Sequence, residues 1–213
     1  MGIYFQANLD FRDDRSYIVG MGRIGHCRQH ILDSGTKVLF AKGYNGTGVK
    51  QIVDAAGVPK GSFYNHFSSK EAFVVEALEK LSNINMENVQ SLLANADDSP
   101  KQRLNKFFGD YHQHIESCEF NGGCLFANLC LEMADEVESI RAVTNNHMEK
   151  VTKLIEKTLD DAKSQGELEH SVDSLALATF IFNAWEGTVI RMKASRSSSS
   201  YEVFKNQLNL YFN

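Results

Sequence analysis

The sequence predicts an all-α fold: short helices at the front, then a larger helical bundle. Apolar residues recur at three- and four-residue spacing along most of the chain, and no segment alternates apolar and polar as a half-buried strand would. Only two prolines occur in 213 residues, Pro59 and Pro100, and both stand where one helix should give way to the next. Glycine, serine and asparagine clusters separate the periodic stretches, and no internal repeat is present.

Residues 1–20 mix Asp, Arg and aromatics without a period and read as a loose extension, with Met21 a possible natural start. From about Cys27 to Lys42, Ile31, Leu32, Val38 and Leu39 share a helical face with small Gly35, and Gly43 suits the C-terminal cap. Thr47 is placed to cap a short helix through Ala56 that turns Val49, Ile52 and Val53 inward. Gly57 closes it, and Val58-Pro59 leads into a second short helix, about Lys60 to His66. Ser68 with Glu71 three residues on reads as a capping box opening a long helix to about Ala94, with Phe73, Leu78, Leu81 and Ile84 inward. Asn95 to Pro100 forms a polar corner. Helices are then expected at about 101–117, 124–134, 137–165, 172–194 and 201–212, separated by Asn121-Gly122-Gly123, Gly166 and the run Ser197 to Ser200.

The composition, 43% hydrophobic and 23% charged, argues for a packed globular chain and against disorder. The net charge of −5 is unevenly spread. Residues 21–80 hold eight Lys/Arg against five Asp/Glu, a local +3, and residues 1–20 hold two against three, which leaves −7 for residues 81–213. A basic front and an acidic back fit a molecule that meets a polyanion at one end. No basic segment followed by an apolar core opens the chain, so a cytoplasmic setting and reduced thiols at Cys27, Cys118, Cys124 and Cys130 are expected. The apolar stretch Leu175 to Met192 is broken by Asn183, Glu186 and Arg191, which suits a buried helix better than a membrane span.

The most informative stretch runs from Asp54 to Phe67, DAAGVPKGSFYNHF. Small Ala55 and Ala56 let two helices cross closely, Gly57 can take the positive φ of a tight turn, and Phe63 and Phe67, four apart, anchor one helical face. Lys60, Ser62, Tyr64 and His66 are left to face outward. With Thr47 before it and Ser69-Lys70-Glu71-Ala72-Phe73 after it, this block resembles the N-terminal domain of TetR-family regulators. Gly57, Gly61, Tyr64 and Phe67 stand at that family's Gly-x-x-x-Gly-x-x-Tyr-x-x-Phe spacing. The close likeness spans roughly residues 27–80 and is architectural beyond.

The resemblance implies an extension over 1–22, a three-helix DNA-binding domain with a helix-turn-helix over 23–70, and a bundle for ligand sensing and dimerisation over 71–213. It implies a homodimeric one-component regulator, a repressor, on a palindromic double-stranded operator. Tyr64, His66 and Lys70 would approach phosphates, Thr47 would cap and touch phosphate, and Lys60 and Ser62 would meet base edges, with Gly61 and Asn65 in the same contact block. Pro59 stands where the family often has Ser, which removes a side-chain cap but suits a first helical turn.

In the second half, the helix over 172–194 is apolar on more than one face and, with 201–212, is assigned to a dimer interface, or else to a plain core helix. Cys124, after Asn121-Gly122-Gly123, is expected to open a helix, where free amides lower a thiol's pKa; with Lys193 it resembles the electrophile-responsive, NemR-like branch of the family. The competing expectations are a core cysteine and an apolar cavity for a reversible small-molecule inducer, drawn from Phe107, Phe108, Tyr111, Phe126, Met133, Met148, Phe182 and Trp185. His112, His114, Cys118 and Cys124 match no tight zinc spacing, and neither a metal nor a cofactor is expected. No nucleophile–base–orienter set or phosphate-cradling loop is recognisable, so the alternatives, a cysteine-dependent enzyme or an interaction module without DNA affinity, rank below the regulator.

Overall fold

The computed structural model describes residues 23–212, with side chains from Cys27 onward; the expected extension over 1–22 lies outside the described residues. Nine helices and no strand occur among the described residues: α1 Arg23–Lys42, α2 Val49–Ala56, α3 Lys60–Tyr64, α4 Lys70–Leu93, α5 Pro100–Ser117, α6 Leu125–Met133, α7 Glu138–Ser164, α8 Ser174–Ser195 and α9 Ser199–Asn209. They pack as two compact units, one of residues 23–81 with 125–144, the other of 82–124 with 145–212. The chain therefore passes between units at 81/82, inside α4, at 124/125 and at 144/145, inside α7.

In the first unit, Ile31, Leu32, Leu39, Ile52, Phe63, Phe73 and Leu78 are buried around the α1–α2–α3 arrangement. Gly35 is required by space: a Cβ there would stand 2.5 Å from Phe73 Cζ and 2.7 Å from Ile52 Cγ2. The α1–α2 turn is held by Glu132 on α6, whose carboxylate accepts from the amides of Tyr44 at 2.8 Å and Asn45 at 2.6 Å.

Two caps differ from expectation. Thr47 does not cap α2; it is fully buried and its hydroxyl donates to the Gly43 carbonyl at 2.7 Å. Gly48 takes the cap position, its amide donating to Gln51 Oε1 at 2.5 Å. The turn after Gly43 (φ +69°) brings that carbonyl within reach of the threonine, which satisfies it better than an exposed helix end could. At α4 the cap is Ser69, not Ser68: Ser69 Oγ accepts from the Ala72 amide at 3.0 Å.

In the second unit, Trp185 and Phe108 (5.1 Å between centroids) and Phe204 (4.8 Å from Phe108) form the aromatic centre of a core shared by α5, α8 and α9. Two helices of this unit open on side-chain caps. Ser99 accepts from the Gln102 amide to open α5 with Pro100 in its first turn, and Asp173 accepts from the Ala176 amide at 3.0 Å to open α8. Buried Arg103 binds Asp161 Oδ2 at 2.7 Å and the Asp98 carbonyl at 2.9 Å, closing the α4–α5 corner.

Candidate nucleic-acid interface and sensor cavity

The turn between α2 and α3 is built on Gly57, whose φ of +63° lies in the left-handed region, with the Val58 amide bonded back to the Val53 carbonyl at 3.0 Å. Pro59 (φ −62°) then starts α3. Phe63 is fully buried, and its ring stands 5.3 Å from Phe67 and 5.7 Å from Phe73, so one face of α3 is anchored in the first unit's core. The other face is open: Lys60, Gly61, Tyr64 and Asn65 are exposed, Tyr64 by 55%, while Ser62 and His66 are half-buried at its margins. A Cβ on Gly61 would meet nothing within 4 Å, so the molecule's own packing does not require a glycine there.

Lys70 is half-buried and already engaged: its ammonium donates to the Tyr44 carbonyl at 3.0 Å and lies 3.7 Å from the Tyr44 ring centroid, and burial lowers its pKa. Thr47, expected at this surface, is corrected out of it, since a fully buried hydroxyl committed to Gly43 has no outward reach.

The second unit holds a cavity of about 30 Å³ walled by α4, α5, α7 and α8 and by Cys124. Tyr111, Cys124 and Trp185 line it, as do Phe107 and Phe182. Phe108 is fully buried behind Trp185 instead of on the wall, and Phe126 and Met133 belong to the first unit. Cys124 is buried and immediately precedes α6 instead of opening it. Its thiol is hydrogen-bonded to the Tyr111 hydroxyl and to the Glu186 carboxylate. Lys193 is exposed towards the end of α8 and does not line the cavity.

Three polar cavity residues escaped the sequence reading. Glu186 sits on the wall with Oε2 unpartnered, and burial pushes its carboxyl up to about 7 despite the bond from Cys124. Asn85 is buried with Nδ2 unpartnered. His147 is buried, its Nδ1 is 2.9 Å from Ser82 Oγ, and burial, helped by Lys150, lowers it to about 3. A glutamate in the middle of an apolar helix was the available signal for Glu186; it served only to argue against a membrane span.

All four cysteines are free. His112 stacks on Tyr201 (3.8 Å, 8°) and its Nε2 is 2.7 Å from Ser198 Oγ, and no metal-binding group of His, Cys, Asp and Glu is gathered among the described residues. No helix among them is long and apolar enough to cross a membrane. Along α8 and α9, Leu175, Phe180, Ile190 and Val203 are exposed, as is Leu210 just past the end of α9, and a groove of about 570 Å³ lies between the two helices.

Comparison with known proteins gives this geometry a family. Residues 31–77 match the model of bacterial regulatory proteins of the tetR family, and residues 100–208 match the tetracyclin repressor-like C-terminal domain. The chain belongs to the TetR family. It is 32% identical over 177 residues to the HTH-type transcriptional repressor DhaR of Mycobacterium sp. (strain GP1), covering 83% of this chain and 87% of that one. It is 29% identical over 184 residues to the HTH-type transcriptional repressor NemR of Escherichia coli (strain K12), covering 85% and 89%. Among solved structures it is similar to a regulatory protein TetR from Rhodobacter sphaeroides (TM-score 0.81, 28% identity, 88% of this chain and 99% of that one). It is also similar to E. coli NemR in its reduced form (TM-score 0.78, 27% identity, 88% and 97%).

As a TetR-family member the chain is a helix-turn-helix transcriptional regulator of the repressor type, not an enzyme. Repressors of this family bind operator DNA, typically as dimers, and respond to small-molecule ligands. The matched 31–77 segment contains the whole α2–turn–α3 unit, and the matched 100–208 segment contains α5 to α8 and most of α9.

Proposed function

We propose that this chain is a cytoplasmic, homodimeric repressor that reads a near-palindromic operator with α3 and leaves it when a small electrophile reacts in the cavity beside Cys124. The observation that carries DNA reading is the two-sided build of α3: Phe63 and Phe67 sunk in the core, with Lys60, Gly61, Tyr64 and Asn65 turned out. Lys60 and Ser62, in the helix's first turn, are assigned to base edges; Tyr64, Asn65 and His66 are assigned to phosphates. Gly61 keeps the surface low where the duplex backbone approaches. Lys70 contributes positive potential from beside Tyr44 more than a free reaching arm.

The partner at α8 and α9 is a second copy of the chain. Gly187, in the middle of α8, would meet nothing within 4 Å if it carried a Cβ. An exposed mid-helix glycine costs about 1 kcal/mol relative to alanine, which is offset where another helix crosses closely. It lies among exposed Phe180, Ile190 and Val203 on the surface that a dimer would cover.

Cys124 is the sensing atom in this reading, because its thiol stands in the cavity wall between a hydroxyl and a carboxylate. Cavity residues Asn85, Cys124 and His147 each lie within one helical turn of a place where the chain passes from one unit to the other. Repacking the cavity therefore acts on segments continuous with the DNA-reading unit, and a signal that favours one arrangement shifts the population towards it. Footprinting DNA upstream of the chain's own gene, with and without an electrophile, tests the whole. Protection of a two-fold site lost on treatment supports it; no protected site refutes the operator reading, and release unchanged by Cys124→Ser refutes the sensor reading.

A further inference from the structure

The joint between α1 and α2 is gripped from outside the two helices it connects. Glu132, in the last turn of α6, accepts from two successive amides, one on each carboxylate oxygen: Tyr44 N at 2.8 Å on Oε2 and Asn45 N at 2.6 Å on Oε1. Gly43 makes the approach possible, since its φ of +69° turns the chain and a Cβ there would stand 2.6 Å from Glu132 Oε2. From α4, Lys70 donates to the Tyr44 carbonyl at 3.0 Å with its ammonium over the Tyr44 ring. The joint is thus fixed to α4 and α6 together, and α2 starts just beyond it.

This grip shapes the reading surface more than it holds the fold. Asn45 is exposed, so water would satisfy its amide if Glu132 were replaced, and the bond adds little to stability. On charge alone, a carboxylate in the unit that meets phosphate lowers affinity for DNA. Position is another matter. Gly57 joins α2 to α3 in one tight turn, and Phe63 and Phe67 seat α3 against Phe73 in the first turn of α4. With the joint also tied to α4 through Lys70, both ends of the α2–α3 unit are set against one helix. We infer that Glu132 is a positioning residue for operator binding: its carboxylate fixes the α1–α2 joint so that α2 and α3 stand in their DNA-reading arrangement before the duplex arrives. It acts through the Tyr44 and Asn45 amides and not by contact with DNA. The inference rests on the reading of α3 as the operator-reading helix. Releasing the joint lowers the fraction of molecules already in that arrangement, and apparent affinity falls by the same factor while the bound complex keeps its phosphate contacts.

The test compares full-length parent, Glu132→Gln and Glu132→Asp on the footprinted operator by fluorescence anisotropy over a salt series. Hydrogen exchange of the free proteins, read by mass spectrometry over residues 43–47, follows the joint itself. Gln keeps the shape and loses the charge, and its single oxygen leaves one amide facing another donor. Asp keeps the charge but is one methylene too short to hold both amides. Both variants should bind about 10-fold more weakly with the parent's log-affinity against log-salt slope, and exchange the joint's amides about 10-fold faster. Charge acting alone predicts instead that Gln binds more tightly than the parent and Asp equally well. That pattern, a flattened slope, parent affinity in both variants, or parent-rate exchange in both overturns the inference while the α3 reading stands. Affinities are compared at a temperature where melting curves show folded protein; if one variant is unfolded there, the other decides. Unfolding of both would make Glu132 a folding residue and also overturn the inference. A parent that protects no DNA removes the α3 reading and this inference with it.

Discussion

Replacing Glu186 with Gln removes a buried carboxyl whose pKa burial raises from 4.5 to about 7. The unfolded chain releases this proton near 4.5 and the folded chain near 7, so between those values the folded state holds more protons and stability falls as pH rises. The gap, at ~1.4 kcal/mol per pKa unit, amounts to about 3 kcal/mol, fully present below 4.5 and lost above 7. His147 works in the opposite sense. Its folded pKa is lowered from 6.5 to about 3, so it costs stability as pH falls through that window, but this contribution is common to parent and variant and cancels in their difference. Urea denaturation of both proteins from pH 4 to pH 8.5, at one fixed protein concentration because the dimer couples to folding, gives that difference directly. The Glu186→Gln protein should gain on the parent by about 3 kcal/mol across the range, with the midpoint of the change between 4.5 and 7. Parallel stability profiles would show that Glu186 is solvated or paired in solution and would remove the desolvated cavity wall from the sensing mechanism.

Further outcomes follow from the glycines and the apolar face. Gly61→Ala should leave the fold intact or stabilise it by up to about 1 kcal/mol, yet weaken operator binding about 10-fold; unchanged affinity in a gel-shift titration would mean that nothing approaches this surface closely. Gly35→Ala, in contrast, drives a methyl to 2.5 Å from Phe73 and 2.7 Å from Ile52, and should cost about 1–3 kcal/mol in urea denaturation. Phe180→Asp, on the exposed α8 face, should convert the protein to monomer in sedimentation velocity and lower operator affinity with it; a persistent dimer would place the interface elsewhere.

The helical periods, Gly57 and the Phe63–Phe67 anchor made the front of the molecule readable, because a short local motif fixes both its backbone and its exposed face. Thr47 was misplaced for a physical reason. A threonine before a helix competes between the cap and a nearby free carbonyl, and the Gly43 turn that decides the contest is set by α6, far along the chain. The cavity was legible only in part. Tyr111, Cys124 and Trp185 could be nominated as aromatic or thiol groups on helices, but the cavity is assembled from five segments between Asn85 and Glu186, and one sequence does not show which polar residue of each segment turns to the same space. Phe108 illustrates the limit: helical spacing marks it as inward, and only packing against Trp185 and Phe204 puts it behind the wall.

The outward face of α3 is tested most directly by fluorescence anisotropy of the footprinted operator with the double variant Lys60→Ala, Tyr64→Phe, run beside the parent over a salt series. Both side chains are exposed, so melting should not change, while affinity should drop by about 100-fold or more and the log-affinity against log-salt slope should flatten by roughly one contact. Parent-like affinity and slope from a folded variant would mean that this face of α3 does not touch DNA.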